Sequence, residues 1–99
     1  MSVLTSRQNP VCAHLRKLAR QGRYRKENGE YLADGRKLWE EAVKWGAPVR
    51  RVITTPDIQL DVPEGVEHTV VAPELMAYLS PMESPQGVLF TLALPKGRT

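Results

Sequence analysis

The first quarter of the sequence concentrates basic side chains. Its first 26 residues contain seven Lys or Arg and no Asp or Glu. The seven are Arg7, Arg16, Lys17, Arg20, Arg23, Arg25 and Lys26. Five of them are arginines, and the planar guanidinium group matches phosphate oxygens and base edges better than the lysine ammonium does. Clustering of a single sign of charge is typical of a surface that binds a polyanion, nucleic acid above all.

One aromatic residue lies inside this basic segment. Tyr24 is flanked by Arg23 and Arg25, and its ring is placed to stack on an unpaired base, although a tyrosine packed on the edge of the domain explains it equally well. The sequence has no helix-turn-helix or zinc-finger pattern, so single-stranded or looped RNA is favoured over duplex DNA. A solvated helix face is the alternative explanation of the charges, but such faces normally mix the two signs.

The net charge of +3 conceals a difference between the two halves of the chain. Residues 1–51 contain 12 basic and 5 acidic side chains, a net charge of +7. Residues 52–99 contain 2 basic and 6 acidic side chains, a net charge of −4. The polyanion signal therefore belongs to the first half.

The sequence lacks the residue patterns typical of metal sites, catalytic nucleophiles and phosphate-binding loops. His14 and His68 have no Cys or carboxylate at metal-ligand spacing and are expected to be ordinary surface residues. The single cysteine, Cys12, falls on the apolar side of a predicted helix, which favours a small buried core residue in a reducing compartment. No glycine-rich loop follows a strand. We therefore expect no metal ligand, cofactor site or catalytic residue in this chain.

The length of 99 residues fits one small domain. The most apolar stretch, residues 86–95, is far shorter than the roughly 20 residues that a membrane helix needs. The N-terminus lacks the apolar block of a cleavable signal peptide. These features predict a cytoplasmic protein without membrane contact.

The basic residues are predicted to lie on a helix and the loop that follows it. Asn9 and Pro10 form a typical helix start, with Asn9 as the cap. The helix is predicted over 10–21, with Gly22 as its left-handed stop. Residues 23–29 are then predicted to form an exposed basic loop that ends in an Asn-Gly turn.

The rest of the chain is predicted to alternate strands with helices. Asp34 is expected to cap the helix 36–45, and Trp39 and Trp45 are expected to anchor that helix in the core. The most apolar strand is expected to be central. The predicted strands are 30–33, 49–54, 66–71 and 88–94, the predicted helices are 36–45 and 73–79, and a proline-rich loop covers 80–85. This alternation predicts a three-layer α/β/α sandwich with a mainly parallel sheet of about four strands.

The order of several short motifs resembles one family over residues 5 to 95. The chain is similar to the N-terminal substrate-binding domain of SpoU (TrmH-type) RNA 2′-O-ribose methyltransferases. The motifs are Ser6, Asn9-Pro10, Leu15 and Leu18 with Arg16-Lys17, Tyr24-Arg25, Tyr31-Leu32, Asp34-Gly35-Arg36, Glu41-Ala42 and Pro85-Gln86-Gly87-Val88. Asp34 departs from the pattern, because the family commonly has Glu before this Gly.

The resemblance implies that RNA binding and catalysis belong to two separate domains. Residues 1–95 would be the RNA-recruiting domain, with a fold similar to kink-turn-binding ribosomal proteins, and residues 96–99 would begin a linker. A separate C-terminal domain would bind S-adenosylmethionine, carry the catalytic residues and form a homodimer. The substrate would be structured ribosomal or transfer RNA, and this chain alone is not expected to be active. Matched by position, Arg7, Asn9, Arg25 and Arg36 correspond to basic or polar family positions near the RNA.

Two other functions stay open at this point. The chain could be a stand-alone ribosome-associated or kink-turn-like structural RNA-binding protein. It could also be a protein-interaction module that docks through residues 88–94, which requires that strand to be an exposed edge.

Overall fold

Four helices and four strands occur in residues 3–80 and 87–94, the part of the chain that the computed structural model describes. In chain order the elements are α1 (Pro10–Arg20), α2 (Gly22–Asn28), β1 (Glu30–Asp34), α3 (Arg36–Lys44), β2 (Val49–Thr54), β3 (Glu67–Val70), α4 (Pro73–Leu79) and β4 (Val88–Ala93). None of these helices is long and apolar enough to cross a membrane. Most of the predicted proline-rich loop, Gln86 and the predicted linker 96–99 lie outside the described residues.

The four strands form one sheet in the order β1-β4-β2-β3. β2 pairs with β3 in parallel, whereas β4 pairs with both β1 and β2 in the antiparallel sense. Strands β1, β2 and β3 therefore run in one direction and β4 runs against them. The predicted strand number is confirmed. The predicted mainly parallel pairing is wrong, because β4 lies between β1 and β2 and makes two of the three pairings antiparallel.

The central position of β4 is confirmed. Its residues Val88 to Leu92 are all buried, as expected of a strand with a neighbour on each side and helices on both faces. A strand in this position offers no free backbone edge to a partner. The interaction module that docks through residues 88–94 as an edge strand is therefore excluded.

Successive residues of the strands feed two separate cores. Ile53 and Leu89 pack with α1 and α4 on one face of the sheet, whereas Val52, Phe90 and Trp39 of α3 pack on the other. Adjacent strand residues point to opposite faces, so the sheet lies between two helical layers. The predicted three-layer α/β/α sandwich is confirmed.

Helix α1 begins as the sequence predicts. The backbone N–H of Val11 donates to Oδ1 of Asn9 at 2.9 Å, and Pro10 occupies the first turn. On the inner side Cys12, Leu15 and Leu18 are fully buried. Burial raises the pKa of the Cys12 thiol, so this cysteine is the inert core residue that was expected.

The segment after α1 is helical, which corrects two predictions. Gly22 begins α2 instead of stopping α1, and residues 23–28 are not an exposed loop. Arg25 turns inward and donates from Nη1 to the carbonyl oxygen of Leu18 at 2.6 Å. Gly29 ends α2 in the left-handed conformation, at φ 62°, and its backbone N–H donates to the carbonyl oxygen of Arg25. These contacts hold α2 against the last turn of α1.

Helix α3 begins at the predicted residue, Arg36, but its cap and its last residue differ from the prediction. Gly35, not Asp34, precedes its first turn. Asp34 stays in β1, where its carboxylate accepts a hydrogen bond from the Ser80 hydroxyl and burial raises its pKa. Trp39 is buried as expected, but Trp45 is 78% exposed, so its predicted anchoring role is wrong. Trp45 lies roughly 120° around the helix axis from Trp39, beyond the stripe that the sheet covers.

The N-terminal segment extends the sheet at its β3 edge. Leu4 forms a parallel bridge with Val71, and its backbone donates to Val70 and accepts from Ala72. Because Ala72 is directly followed by α4, this bridge fixes the N-terminal segment beside α4. Arg7, three residues further on, is thereby brought to the side of the molecule that carries α1 and α4.

Candidate nucleic-acid interface

The outer face of α1 and the end of α4 enclose a cationic groove with a volume of about 290 Å³. We call the four basic side chains that line it the α1–α4 cluster. They are Arg7, Arg16, Lys17 and Arg20. Tyr78, near the end of α4, also lines the groove. Four predicted site residues are therefore brought together in one place.

Tyr78 is the organising residue of this cluster. The guanidinium carbon of Arg7 lies 4.2 Å from the centre of the Tyr78 ring, and that of Arg16 lies 4.1 Å from it. Arg16 also donates from Nη1 to the carbonyl oxygen of Tyr78 at 2.6 Å. The distances of the two guanidinium carbons from the ring centre are well inside the range of attractive cation–π contacts. Sequence reasoning missed Tyr78, because only the inward-facing residues of its helix carry an apolar pattern.

A second basic region lies on α2 and is lined by Gly22, Arg23, Arg25, Lys26 and Leu94. Its arginines are partly engaged within the protein. Arg23 pairs with Glu27 at 3.3 Å on the exposed side of the helix. Arg25 is bound to the Leu18 carbonyl, so its first task is to hold α2 in place. Lys26 stays exposed to solvent.

Lys17 connects the two basic regions. Its side chain lines the α1–α4 groove, and its Nζ lies 5.5 Å from the centre of the Tyr24 ring on α2. The two regions therefore form one surface, which we call the cationic face.

Tyr24 sits at the margin of this face and is half-buried. Its ring packs against the core beside α1, and its edge meets His14, with the ring centres 5.5 Å apart. The Tyr24 hydroxyl lies 2.7 Å from Nδ1 of His14. Of the two explanations that the sequence left open, the position favours packing on the domain edge, and stacking on a base stays a prediction.

His14 belongs to a buried polar network and is not an ordinary surface histidine. Its Nε2 lies 2.9 Å from the carboxylate of Glu30, which is 3% exposed at the start of β1. Arg51 at 3.5 Å and Arg50 at 3.7 Å complete the charge balance of Glu30. The spacing of these residues along the sequence gave no signal for this network, because α1, β1 and β2 come together only in the folded protein.

The ionisation of Glu30 is decided by two opposing effects. Burial raises the pKa of its carboxyl, whereas the Thr91 hydroxyl, His14 and Arg51 lower it and prevail. The pKa of Glu30 is therefore held below its usual range, and the group is a stable anion at neutral pH. This anion neutralises part of the positive charge of Arg50 and Arg51.

Two predicted site residues have other positions or tasks. Asn9 uses its side-chain oxygen to cap α1. Arg36 begins α3, on the opposite side of the sheet from α1, and pairs with Glu40 at 3.4 Å. The predicted RNA-binding residues are ten in all, namely the seven basic residues of the first 26 together with Asn9, Tyr24 and Arg36. Contact of any of them with RNA stays a prediction. No group of three or more metal-ligating side chains occurs within residues 3–80 and 87–94.

The fold and this surface define a small α/β/α domain whose N-terminal basic residues converge on one helical layer. The sequence from residue 9 to residue 90 matches the family model of the MRM3-like substrate binding domain. The chain belongs to this family. The resemblance to SpoU-type methyltransferase substrate-binding domains is thereby confirmed.

Solved structures of methyltransferases contain the same fold. An rRNA methyltransferase from Sinorhizobium meliloti superposes on 97% of this chain with a TM-score of 0.82 and 22% identity. The SpoU methyltransferase AviRb from Streptomyces viridochromogenes, in complex with AdoMet, superposes on 90% with a TM-score of 0.75 and 24% identity. An RNA 2′-O ribose methyltransferase superposes on 96% with a TM-score of 0.78 and 20% identity.

The chain is much shorter than these proteins. It covers 38% of the Sinorhizobium meliloti protein, 37% of AviRb and 38% of the third protein. No protein of curated function matches the sequence significantly.

Proposed function

We propose that this chain is the RNA-recruiting domain of an S-adenosylmethionine-dependent 2′-O-methyltransferase that modifies ribosomal or transfer RNA. The observation that carries the proposal is membership of a substrate-binding domain family together with the cationic face. A substrate-binding domain of this kind needs a surface that attracts RNA phosphates, and arginine-rich surfaces do so.

The proposal assigns binding to this chain and chemistry to another domain. S-adenosylmethionine would supply the methyl group, and we place its site outside this chain. Within the described residues, the glycines with positive φ lie singly at turns, at Gly29, Gly35, Gly46, Gly65 and Gly87. They form no glycine-rich loop of the kind that the family's cofactor site uses. No catalytic step is assigned to this chain.

Within this proposal the cationic face makes the first contact with the substrate. Neutralising several phosphates provides affinity without reading the base sequence, so choice of the target nucleotide would fall to the catalytic domain. We further propose that the complete protein is a cytoplasmic homodimer held together through that domain.

The binding half of the proposal is tested by fluorescence anisotropy over a range of salt concentrations. The probes are a labelled ribosomal RNA fragment, a transfer RNA and a DNA duplex of matched length. We expect the RNAs to bind more tightly than the duplex, with log K falling by about 0.7 per neutralised phosphate for each unit of log salt. Binding that is independent of salt, or absent for both RNAs, would overturn it.

A pair of double variants localises the binding. Replacing Lys17 and Arg20 by Gln removes two charges from the cationic face, whereas replacing Lys37 and Lys44 by Gln removes two from α3. We expect the first pair to weaken RNA binding by about tenfold or more and the second to leave it nearly unchanged. Equal losses in both variants would mean that only net charge matters.

The attachment to a catalytic domain is tested at the level of the gene. The reading frame is expected to continue past Thr99 into a domain with glycine-rich cofactor loops. A stop codon at that position would favour the stand-alone structural RNA-binding protein.

A further inference from the structure

The α1–α4 cluster has no acidic partner among the described residues, unlike four other arginines of the protein. Arg23, Arg36, Arg50 and Arg51 each lie within 4 Å of a carboxylate. Among the described residues, no such ion pair is formed by Arg7, Arg16, Lys17 or Arg20. Four positive charges therefore line one groove without a counter-charge from that part of the protein.

Such a cluster is unfavourable in the free protein, because like charges at close range repel each other. The fold nevertheless holds two of the four in place. Arg16 is fixed by its contact with the Tyr78 ring and by its hydrogen bond to the Tyr78 carbonyl oxygen. Arg7 is fixed by the same ring. Two ordered guanidinium groups beside one groove are suited to an anion that relieves their repulsion.

The chemistry of the groove selects the kind of anion. Guanidinium groups bind phosphate oxygens through pairs of N–H donors, and orienting them beforehand reduces the entropy lost on binding. The neighbouring Lys17 and Arg20 extend the positive charge along α1. An RNA strand that follows α1 would carry several phosphates past these side chains, whereas Arg36, the arginine of α3, is already paired with Glu40.

We propose that the α1–α4 groove is a preformed site for one backbone phosphodiester of RNA, gripped by Arg7 and Arg16 on the Tyr78 ring. Tyr78 is the positioning residue of the site, since it touches the arginines and not the RNA. The identity of the anion as RNA rests on the function proposed above. The anion site itself rests only on the geometry of the groove.

The critical variant is Tyr78→Leu, which removes the aromatic platform but no charge. It keeps an apolar side chain at this position and keeps the backbone carbonyl that Arg16 contacts. We expect RNA binding to weaken by about threefold to tenfold, because two guanidinium groups lose their fixed orientation. A merely electrostatic surface would not respond to this change.

Two substitutions of Arg16 separate charge from geometry. Arg16→Gln is expected to weaken binding by about tenfold and to reduce the salt slope by about 0.7, the share of one phosphate. Arg16→Lys keeps the charge but loses the planar fork, and we expect it to bind more weakly than the wild type. Lys37→Gln, on the opposite layer, is the charge-matched control. Melting temperatures of all variants confirm that they are folded.

The source of the phosphate is tested with one RNA sequence that carries either a 5′-hydroxyl or a 5′-phosphate. Equal binding of the two supports an internal phosphodiester. Binding that requires the 5′-phosphate would overturn that assignment. The proposal is also overturned if Tyr78→Leu binds like the wild type and Arg16→Gln loses no more than Lys37→Gln.

A titration with inorganic phosphate separates this proposal from the proposed function. The Nε–H signals of Arg7 and Arg16 are followed by NMR, with acetate as the control anion. Shifts that saturate with phosphate and not with acetate support the site even if no RNA binds, in which case only the proposed function fails. Identical responses to phosphate and acetate would overturn the site.

Discussion

The hydroxyl of Tyr24 lies 2.7 Å from Nδ1 of His14, whose Nε2 in turn lies 2.9 Å from the carboxylate of Glu30. An ionised carboxylate can only accept, so Nε2 of His14 donates to Glu30, while Nδ1 lies within hydrogen-bond distance of the Tyr24 hydroxyl. This relay links α2 to α1 and to β1 through side chains. It explains how the short polar helix α2 keeps a fixed position against α1.

Tyr24→Phe tests the relay. The change removes the hydroxyl and leaves Nδ1 of the half-buried His14 without its hydrogen-bond partner, so we expect the free energy of unfolding to fall by about 1 kcal/mol. Urea unfolding followed by circular dichroism measures the loss. Tyr31→Phe is the control, because the Tyr31 hydroxyl makes no hydrogen bond to the described residues. An equal effect of the two substitutions would contradict the relay.

The same position distinguishes the two roles considered for Tyr24. If the ring stacks on a base, Tyr24→Leu weakens RNA binding while Tyr24→Phe does not, since every aromatic ring offers a stacking face. If the ring only packs on the domain edge, both variants bind RNA like the wild type once they are folded. Anisotropy with the single-stranded RNA probe decides between the two.

Glu30 makes stability depend on pH in the acid range. Its pKa in the folded state is held below that of the unfolded chain, so ionised Glu30 stabilises the fold above the unfolded pKa. This contribution disappears as the pH falls through the folded pKa. We expect Glu30→Gln to lower the free energy of unfolding by about 1 to 3 kcal/mol at neutral pH, because Arg50 and Arg51 lose their counter-charge.

The difference between wild type and Glu30→Gln should therefore shrink as the pH is lowered from neutral. Thermal melts between neutral and acid pH measure it. Glu64→Gln, at an exposed position, is the control and should match the wild type throughout. A gap that stays constant with pH would show that the carboxylate charge of Glu30 does not stabilise the fold.

The elements predicted correctly are those whose burial leaves a periodic pattern. Helix α1 has a cap and an apolar stripe, and β4 is apolar along its length. Helix α2 has neither, because none of its residues is buried and it is held by the contact of Arg25 with Leu18. A helix that is held by a side-chain contact with the preceding helix leaves no periodic apolar pattern in its own sequence.

The order of the strands in the sheet could not be predicted from the sequence for a similar reason. Alternation of strands with helices predicts crossovers, and β1, β2 and β3 indeed run in the same direction. Which strand lies between β1 and β2 depends on the fit of β4 against both cores. The candidate site divides in the same way, since charge indicated Arg7 and Arg16, and only the fold placed Tyr78 beneath them.

Gly87 is expected to be sensitive to substitution by any residue with a Cβ. Its φ is +84°, and a Cβ there would lie 3.0 Å from Oγ1 of Thr55 and 3.1 Å from Cγ1 of Ile58. We expect Gly87→Ala to lower the free energy of unfolding by about 2 kcal/mol or more, through strain and crowding together. Gly65→Ala is the matched control.

Gly65 has a similar φ of +90° but nothing within 4 Å of the position of a Cβ. Its substitution therefore measures the backbone strain alone, and the excess loss in Gly87→Ala measures the crowding against Thr55 and Ile58. Chemical denaturation of both variants gives the two values. Equal losses would mean that the neighbours of Gly87 move aside without a penalty.

The two tryptophans near α3 are expected to respond in opposite ways to truncation. Trp39 is 2% exposed and packs edge to face on Phe90, with the ring centres 5.5 Å apart. Trp39→Ala would leave a large cavity in the core beneath α3, and we expect a loss of about 3 to 5 kcal/mol. Trp45 is 78% exposed, so we expect Trp45→Ala to change stability by no more than about 0.5 kcal/mol. Urea unfolding of both variants makes the comparison, and a large loss in Trp45→Ala would mean that this ring is covered in solution.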